Sequence, residues 1–386
     1  MKKIKKLLCL FLCAVLFCCV TGCNKGDQFD FINMSVFSTS VRIEVHDGTL
    51  TSGQKQEIRS LLKGLDERYS TTKEGSFVSR FNALSTGQSI KMTDEEKTLL
   101  SLAKEYYALS SGNFSPAVYP LMRVWGFVNN AYENMAALPS DTDVKAAAAL
   151  ANFDLVEVEE NANGTFIKKA ESALIDTDDI EIDYGGFLKG YASQLVADFL
   201  LDLGFKKGYV NIGGSSLNLL QVDNLGVRHP DAKSGYTTLL SINGKYLTDK
   251  AVSTSGTYER YYTVENATVH HLIDPNGVDE NGNGAGYPSA TGIISATLIC
   301  SDGAFADAMT TALCLADYTG GTANEPTTSP NATCELAELV AAILQKDPSA
   351  AFYIAYQKDG QKLLLTNKEK DVHFTLTDTS WAVKQL

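Results

Sequence analysis

Residues 183–192 read Asp-Tyr-Gly-Gly-Phe-Leu-Lys-Gly-Tyr-Ala: three glycines around one lysine, an aspartate in front, and an apolar helical run behind that reaches Gly204. No other stretch of the chain limits the fold so tightly. Gly185, Gly186 and Gly190 remove Cβ atoms where a ligand or another backbone must come close. A helix that opens beside a lysine suits a phosphate, because its first N–H groups are unpaired and its dipole favours negative charge. The spacing matches neither the Walker pattern nor the dinucleotide fingerprint. On spacing alone a tight strand-to-helix turn with a surface lysine is an equal reading.

The rest of the chain supplies strands and helices without regular alternation. Val36–Val45, Thr165–Lys168, Ala173–Ile175 and Gly208–Ile212 read as strands, as do segments near 237–242, 247–253, 258–264, 291–299, 352–356 and 362–365. Helical spacing covers residues 53–65, 141–150, 188–203, 305–316 and 337–344, and Thr93-Asp-Glu-Glu96 opens a helix to Leu109 with a capping-box pattern. Asn276–Gly286 and Thr319–Thr333 read as loops. The mixture predicts an α+β fold and a single compact unit over 36–386.

The N-terminus has its own signature. Lys2, Lys3, Lys5 and Lys6 precede an apolar run from Leu7 to Val20, too short for an ordinary spanning helix, and then Thr21-Gly22-Cys23. This pattern resembles a bacterial lipoprotein signal over residues 1–22, with Cys23 as the lipidated first residue of the mature chain and 23–35 as lipidated cysteine and tether. The polar tether proper runs from Asn24 to about Asp30. The expected location is extracytoplasmic, anchored by lipid to the bacterial cell membrane. Five of the eight cysteines fall in this segment, leaving Cys300, Cys314 and Cys334, with no metal-binding spacing. Cys300 and Cys314 sit in apolar runs and are expected as buried thiols, with at most one disulfide. Loss of residues 1–22 removes four lysines and no acid, which takes the net charge from −13 to −17. Such a chain is a poor partner for nucleic acid. If its ligand is anionic, a bound cation is needed to offset the repulsion.

Few residues can carry chemistry. Of the five histidines, His46 and His373 read as surface residues and His229 lies in a turn. His270 and His271 stand where a strand runs into Leu272-Ile-Asp-Pro275, and a histidine there can act as a general base. Asp307 and Thr311 lie four apart on a predicted helix and share a face, which makes a hard-oxygen site suited to magnesium. An N-cap acid with a core threonine is the plain alternative. No Gly-x-Ser-x-Gly elbow is present, against an esterase.

Several segments fall in one order: Tyr69-Ser-Thr, Ser79-Arg-Phe-Asn82, Ser111-Gly-Asn-Phe-Ser-Pro116, Pro120 to Phe127, Asp183 to Ala192 and Val210-Asn-Ile-Gly-Gly214. Val252 to Tyr261, His271-Leu-Ile-Asp-Pro275 and Ala306 to Ala312 follow. The ordered set, spanning about residues 36–357, resembles the FAD:protein FMN transferase (ApbE) family. The resemblance implies a magnesium-dependent enzyme with a T-fold-like α+β core. Such an enzyme cleaves FAD at its pyrophosphate, attaches FMN to a serine or threonine of an acceptor flavoprotein, and releases AMP.

Position by position, the resemblance implies that Asp307 and Thr311 hold the metal and that the Gly186 carbonyl completes the site. It implies that Lys189 and Asp183 contact FAD, that Tyr69, Asn82, Phe114 and Ser115 line the flavin pocket, and that His271 is the general base. Phe37 stands where the family often has methionine. A further departure is the insertion Val278–Gly286 before Tyr287-Pro288, close to His271 in sequence. Two other activities fit the same residues: an FAD pyrophosphatase giving FMN and AMP, and a flavin-binding lipoprotein without turnover.

Overall fold

A nine-stranded sheet takes its strands in the order in which the chain makes them: β1 (Asp30–Val36), β2 (Thr39–Val45), β3 (Gly208–Ile212), β4 (Ser216–Leu219), β5 (Lys250–Gly256), β6 (Ile293–Cys300), β7 (Ala351–Lys358), β8 (Gln361–Thr366) and β9 (Ala382–Gln385). Neighbours are antiparallel except for the last pair, β8 and β9, which is parallel. The computed structural model describes residues 29–386 apart from 174, 233–236, 265, 277–285 and 319–334. The expected signal segment, Cys23, most of the 278–286 insertion, residues 319–333, expected as a loop, and Cys334 therefore lie outside the described residues.

Six helices are inserted between β2 and β3: α1 (Ser52–Tyr69), α2 (Phe77–Asn82), α3 (Asp94–Leu109), α4 (Tyr119–Val124), α5 (Asp141–Leu150) and α6 (Leu188–Asp202). Two more, α7 (Gly303–Leu315) and α8 (Glu335–Lys346), join β6 to β7. The predicted capping box at Thr93 forms in full: the Thr93 hydroxyl takes the Glu96 N–H, and the Glu96 carboxylate takes the Thr93 N–H. Thr51 and Gln54 make the same arrangement at α1.

Side-chain alternation explains why the central strands read as nearly continuous apolar runs. In β7, Phe352, Ile354 and Tyr356 face the core shared with the helices. Ala351, Tyr353 and Ala355 face a second core beneath a three-stranded sheet of Asn224–Arg228, Thr238–Asn243 and Phe374–Leu376. A strand covered on both faces has no polar side. α7 is apolar for the same reason: every residue in it except Thr311 is buried. A third, smaller core joins α4 and α5 to the hairpin 261–270 through Leu121, Trp125, Phe127, Val144, Tyr262 and Val269.

The α+β class and the single unit agree with the sequence reading. Three local expectations do not. Residues 30–35, expected as tether, form β1, which pairs with β2 along its whole length and buries Ile32 and Val36. Ala173 and Ile175 lie in bends rather than a strand. His373 is half-buried, with its ring 4.2 Å from that of Tyr246. Cys300 and Cys314 are buried free thiols, as expected.

Candidate active site

Two glycines let α6 and α7 meet almost backbone to backbone. A Cβ at Gly190 would stand 1.9 Å from the Gly303 carbonyl oxygen, and one at Gly303 would stand 2.3 Å from the Gly190 oxygen. The lack of Cβ at Gly190 is thus required by helix packing. Its consequence is chemical, because α6 has no side-chain cap of its own. Asp307 of α7 reaches across, and its Oδ2 accepts the Gly190 N–H at 3.0 Å. One unpaired donor of the α6 N-terminus is satisfied by a carboxylate, in the favourable sense of the helix dipole.

Asp307 is 4 % exposed and has three further partners. The Ser216 hydroxyl donates to Oδ1 at 3.0 Å and the Ser253 hydroxyl at 3.1 Å. The Lys189 ammonium lies 3.2 Å from Oδ2 and also donates to the Gly185 carbonyl at 2.8 Å. Thr311, one turn on, has its hydroxyl 3.5 Å from that of Ser255, which donates to Thr310 at 3.0 Å. β4, β5, α6 and α7 therefore bring together one carboxylate, several hydroxyls, backbone carbonyls and an ammonium.

This cluster opens into a cavity of about 810 Å³. Of the residues singled out from the sequence, Phe37, Tyr69, Phe114, Ser115, Asp183, Gly186, Lys189, His271, Asp307 and Thr311 all line it. Asn82 does not. Its amide is spent on the backbone of Ile182, accepting that N–H at 2.8 Å and donating to the carbonyl at 3.0 Å. Asn82 therefore fixes the chain just before Asp183. Gly186 is needed for a different reason from Gly190: a Cβ there would come within 2.9 Å of the Phe114 ring.

His271 sits at the cavity wall. Its Nδ1 is 3.2 Å from the Arg260 carbonyl oxygen, which can only accept, so Nδ1 carries the ring proton and Nε2 keeps its lone pair. Burial, helped by the positive charge of Arg260, pulls the imidazole pKa down to about 3. The ring is thus neutral at physiological pH. Asp183 is shifted the other way: burial raises its carboxyl, opposed by the Gly185 N–H it accepts at 2.8 Å and by Lys189 and Arg260. The Ser115 hydroxyl is committed to the Ala151 carbonyl. Phe37 and Ser38 form the two-residue turn between β1 and β2 with φ of 54° and 57°. Such turns match strand twist but usually take Asn-Gly, so phenylalanine there carries backbone strain.

Three participants were not predicted. Ser216 and Ser253 look like ordinary polar positions in alternating strands, and only tertiary pairing reveals that both aim at Asp307. Arg260 was visible within the Val252–Tyr261 segment, but nothing local distinguishes it. It donates to the Phe127 carbonyl at 2.6 Å and presents its own carbonyl to His271.

Among the described residues no three His, Cys, Asp or Glu side chains gather as a metal cage. A cation here would rest on one carboxylate with hydroxyl, carbonyl, water and ligand oxygens, the donor set of a hard divalent ion. The donors present fit that role, since Asp307 Oδ2 already lies against a positive charge, the Lys189 ammonium. The cavity wall carries Asp66, Asp183, Glu259 and Asp307 against Lys189 and Arg260. Such a wall repels a polyphosphate unless a cation shares the site.

The fold and cavity define a class: a mixed sheet-and-helix protein with a large cleft whose wall carries Lys189 at a helix N-terminus and the buried carboxylate of Asp307. The ApbE family model matches residues 37–326, most of the chain, and the chain belongs to that family. It is 26% identical over 276 residues to the FAD:protein FMN transferase of Klebsiella pneumoniae, covering 71% of this chain and 77% of that protein. It is 25% identical over 302 residues to the Vibrio cholerae enzyme of the same name, covering 76% and 83%. Among solved structures, the ApbE protein of Thermotoga maritima aligns with a TM-score of 0.66 at 24% identity, over 85% of this chain and 94% of that one. The flavin transferase ApbE of Vibrio cholerae aligns with the same score at 21% identity, over 88% and 97%.

Proposed function

We propose that this protein is a magnesium-dependent FAD:protein FMN transferase, which cleaves FAD and joins FMN by a phosphoester bond to a serine or threonine of an acceptor protein. The observation that carries the reading is the convergence of Lys189, His271, Asp307 and Thr311 on one cavity, from segments far apart in sequence. Family membership and the names of the relatives support it.

Asp307, Thr311 and the Gly186 carbonyl are the groups that would hold Mg²⁺, which when bound neutralises charge on the diphosphate. Phosphoryl transfer depends mainly on positioning and charge neutralisation, and the remaining residues supply both. Lys189, held between Asp307 and the Gly185 carbonyl, is placed to face the diphosphate. The glycine turn lets backbone N–H groups approach it. His271 Nε2 takes the proton of the attacking hydroxyl, with the ring oriented by Nδ1–H on the Arg260 carbonyl. Phosphate charge entering the cavity raises the imidazole pKa from its low value in the empty site and makes it a better base. Tyr69, Phe114 and the Phe37 turn form the apolar end for the flavin ring.

We further propose that Cys23 carries a lipid and holds the enzyme on the outer side of the cell membrane, where its acceptors would also reside. The support is the charged, apolar and Thr-Gly-Cys sequence pattern before residue 24. Replacing Cys23 by serine should release the protein into the soluble fraction; continued membrane retention would refute the anchor.

The activity is tested by incubating the full chain with FAD, Mg²⁺ and an acceptor domain. Transfer yields AMP in one-to-one ratio with flavin-labelled acceptor, and a chelator stops both. Free FMN and AMP without labelled acceptor would assign the pyrophosphatase activity instead.

A further inference from the structure

On the face of the main sheet away from α6 and α7 lies a second cavity of about 260 Å³. Ile299 of β6 and Ala351 and Tyr353 of β7 form its floor, and these belong to the core opposite the active-site helices. Lys245, Lys250, Lys368 and His373 line it, and among the described residues no aspartate or glutamate does. In a chain of net charge −13 this is an unusual concentration of positive charge.

Among the described residues none of these three lysines sits in an ion pair. Lys250 donates to the Ser349 hydroxyl at 2.9 Å, and Lys245 lies 4.6 Å from the Tyr246 ring centroid. Asp347 is the acid that acts on Lys368, and its oxygens also accept hydrogen bonds from two serines. Oδ1 accepts the Ser349 N–H and hydroxyl, and Oδ2 accepts the Ser301 N–H and hydroxyl. Burial and the charge of Lys250 push the Lys368 ammonium pKa down, with Asp347 opposing. The His373 ring, stacked on Tyr246, has a buried Nδ1 with no hydrogen-bond partner among the described residues.

We propose that this pocket binds a small phosphate dianion, either inorganic phosphate or the phosphate of a small phosphomonoester. Three ammonium groups from separate segments, with the Ser349 and Thr248 hydroxyls, surround a space that admits such an ion. The volume is below that of pockets for drug-sized ligands, roughly 300–1,000 Å³. The site is distinct from the flavin cavity. β5 carries Lys250 at one end and Ser255 near the other, five residues apart, so roughly 17 Å separates the two along the strand. Ser349, Ala351, Tyr353, Lys368 and His373 lie beyond residue 326, where the family match ends, and the other lining residues, Lys245 and Lys250 among them, lie within it.

The test is titration of the full chain with inorganic phosphate at constant ionic strength, followed by ³¹P line broadening and by thermal melting. Saturable binding that raises Tm is expected. It should persist in Lys189→Ala, and weaken at least about tenfold in the double variant Lys250→Gln, Lys368→Gln, a change of roughly 1.4 kcal/mol. Lys368→Arg, which keeps the charge, should retain binding and controls for folding. No saturable binding, equal binding by the double variant, or loss on Lys189→Ala alone would overturn the proposal.

Discussion

Asp307 shows how one residue can be legible in kind and opaque in setting. Its four-residue spacing to Thr311 and its place on a helix of small residues were readable, because helical periodicity is local. Its four partners come from α6, β4 and β5, and no local pattern encodes them. Removing the carboxylate leaves Lys189 and two serines without their common acceptor and takes away the anionic ligand proposed for the cation. Asp307→Ala should therefore lower flavin transfer by at least about 10²-fold, the scale set by loss of one preorganised electrostatic group. Retained turnover, measured as AMP release by a variant that still melts cooperatively, would refute the assignment. His271→Asn should reduce kcat by about 10²–10⁴-fold, the range for loss of a general base. It should also remove the fall in rate on the acid side of the pH profile; an unchanged profile would move the base elsewhere. Asn82 makes the same point, since its amide bonds across the fold to Ile182, a partner no local pattern encodes.

The α6–α7 crossing is the element on which the site depends. The glycine segment announced a close approach, and the partner proved to be another helix at Gly190 and an aromatic ring at Gly186. From sequence alone, ligand, ring and backbone are indistinguishable neighbours, since each merely forbids a Cβ. Gly190→Ala must push α7 away from α6, because the obstructing atom is a backbone oxygen that cannot rotate aside. Overpacking typically costs about 1–3 kcal/mol, occasionally more, and should lower Tm accordingly. Transfer activity should fall with it, because the Gly190 N–H leaves Asp307; a variant with native Tm and activity would contradict this packing. The strands that went unread, such as β1, β4 and β9, are short or lie at the sheet edge. They gain their order from pairing with distant neighbours rather than from their own pattern.

At the scale of the molecule, the sheet runs in chain order while the cavity gathers residues from 37 to 315. The α+β class was legible because strand and helix periods were both present without alternation. The insertion of six helices between two adjacent strands was not, since nothing local states that β2 and β3 will pair. The low pKa of His271 couples this assembly to pH. Its folded value, about 3, lies below the usual 6.5, so between those values the unfolded chain binds the proton more readily. The stability contributed by the neutral ring is complete above about pH 6.5 and is lost as pH falls toward 3. His271→Asn should therefore lose less stability than the parent between pH 6.5 and 4 in denaturant melts; parallel pH curves would contradict the burial. The account as a whole is tested most directly by intact-mass spectrometry of an acceptor domain after incubation with FAD, Mg²⁺ and either the parent enzyme or Asp307→Ala. The predicted result is an acceptor heavier by one FMN moiety on a serine or threonine with the parent, and an unmodified acceptor with the variant. An unmodified acceptor with the parent while FAD is consumed, or equal labelling by both proteins, would contradict it.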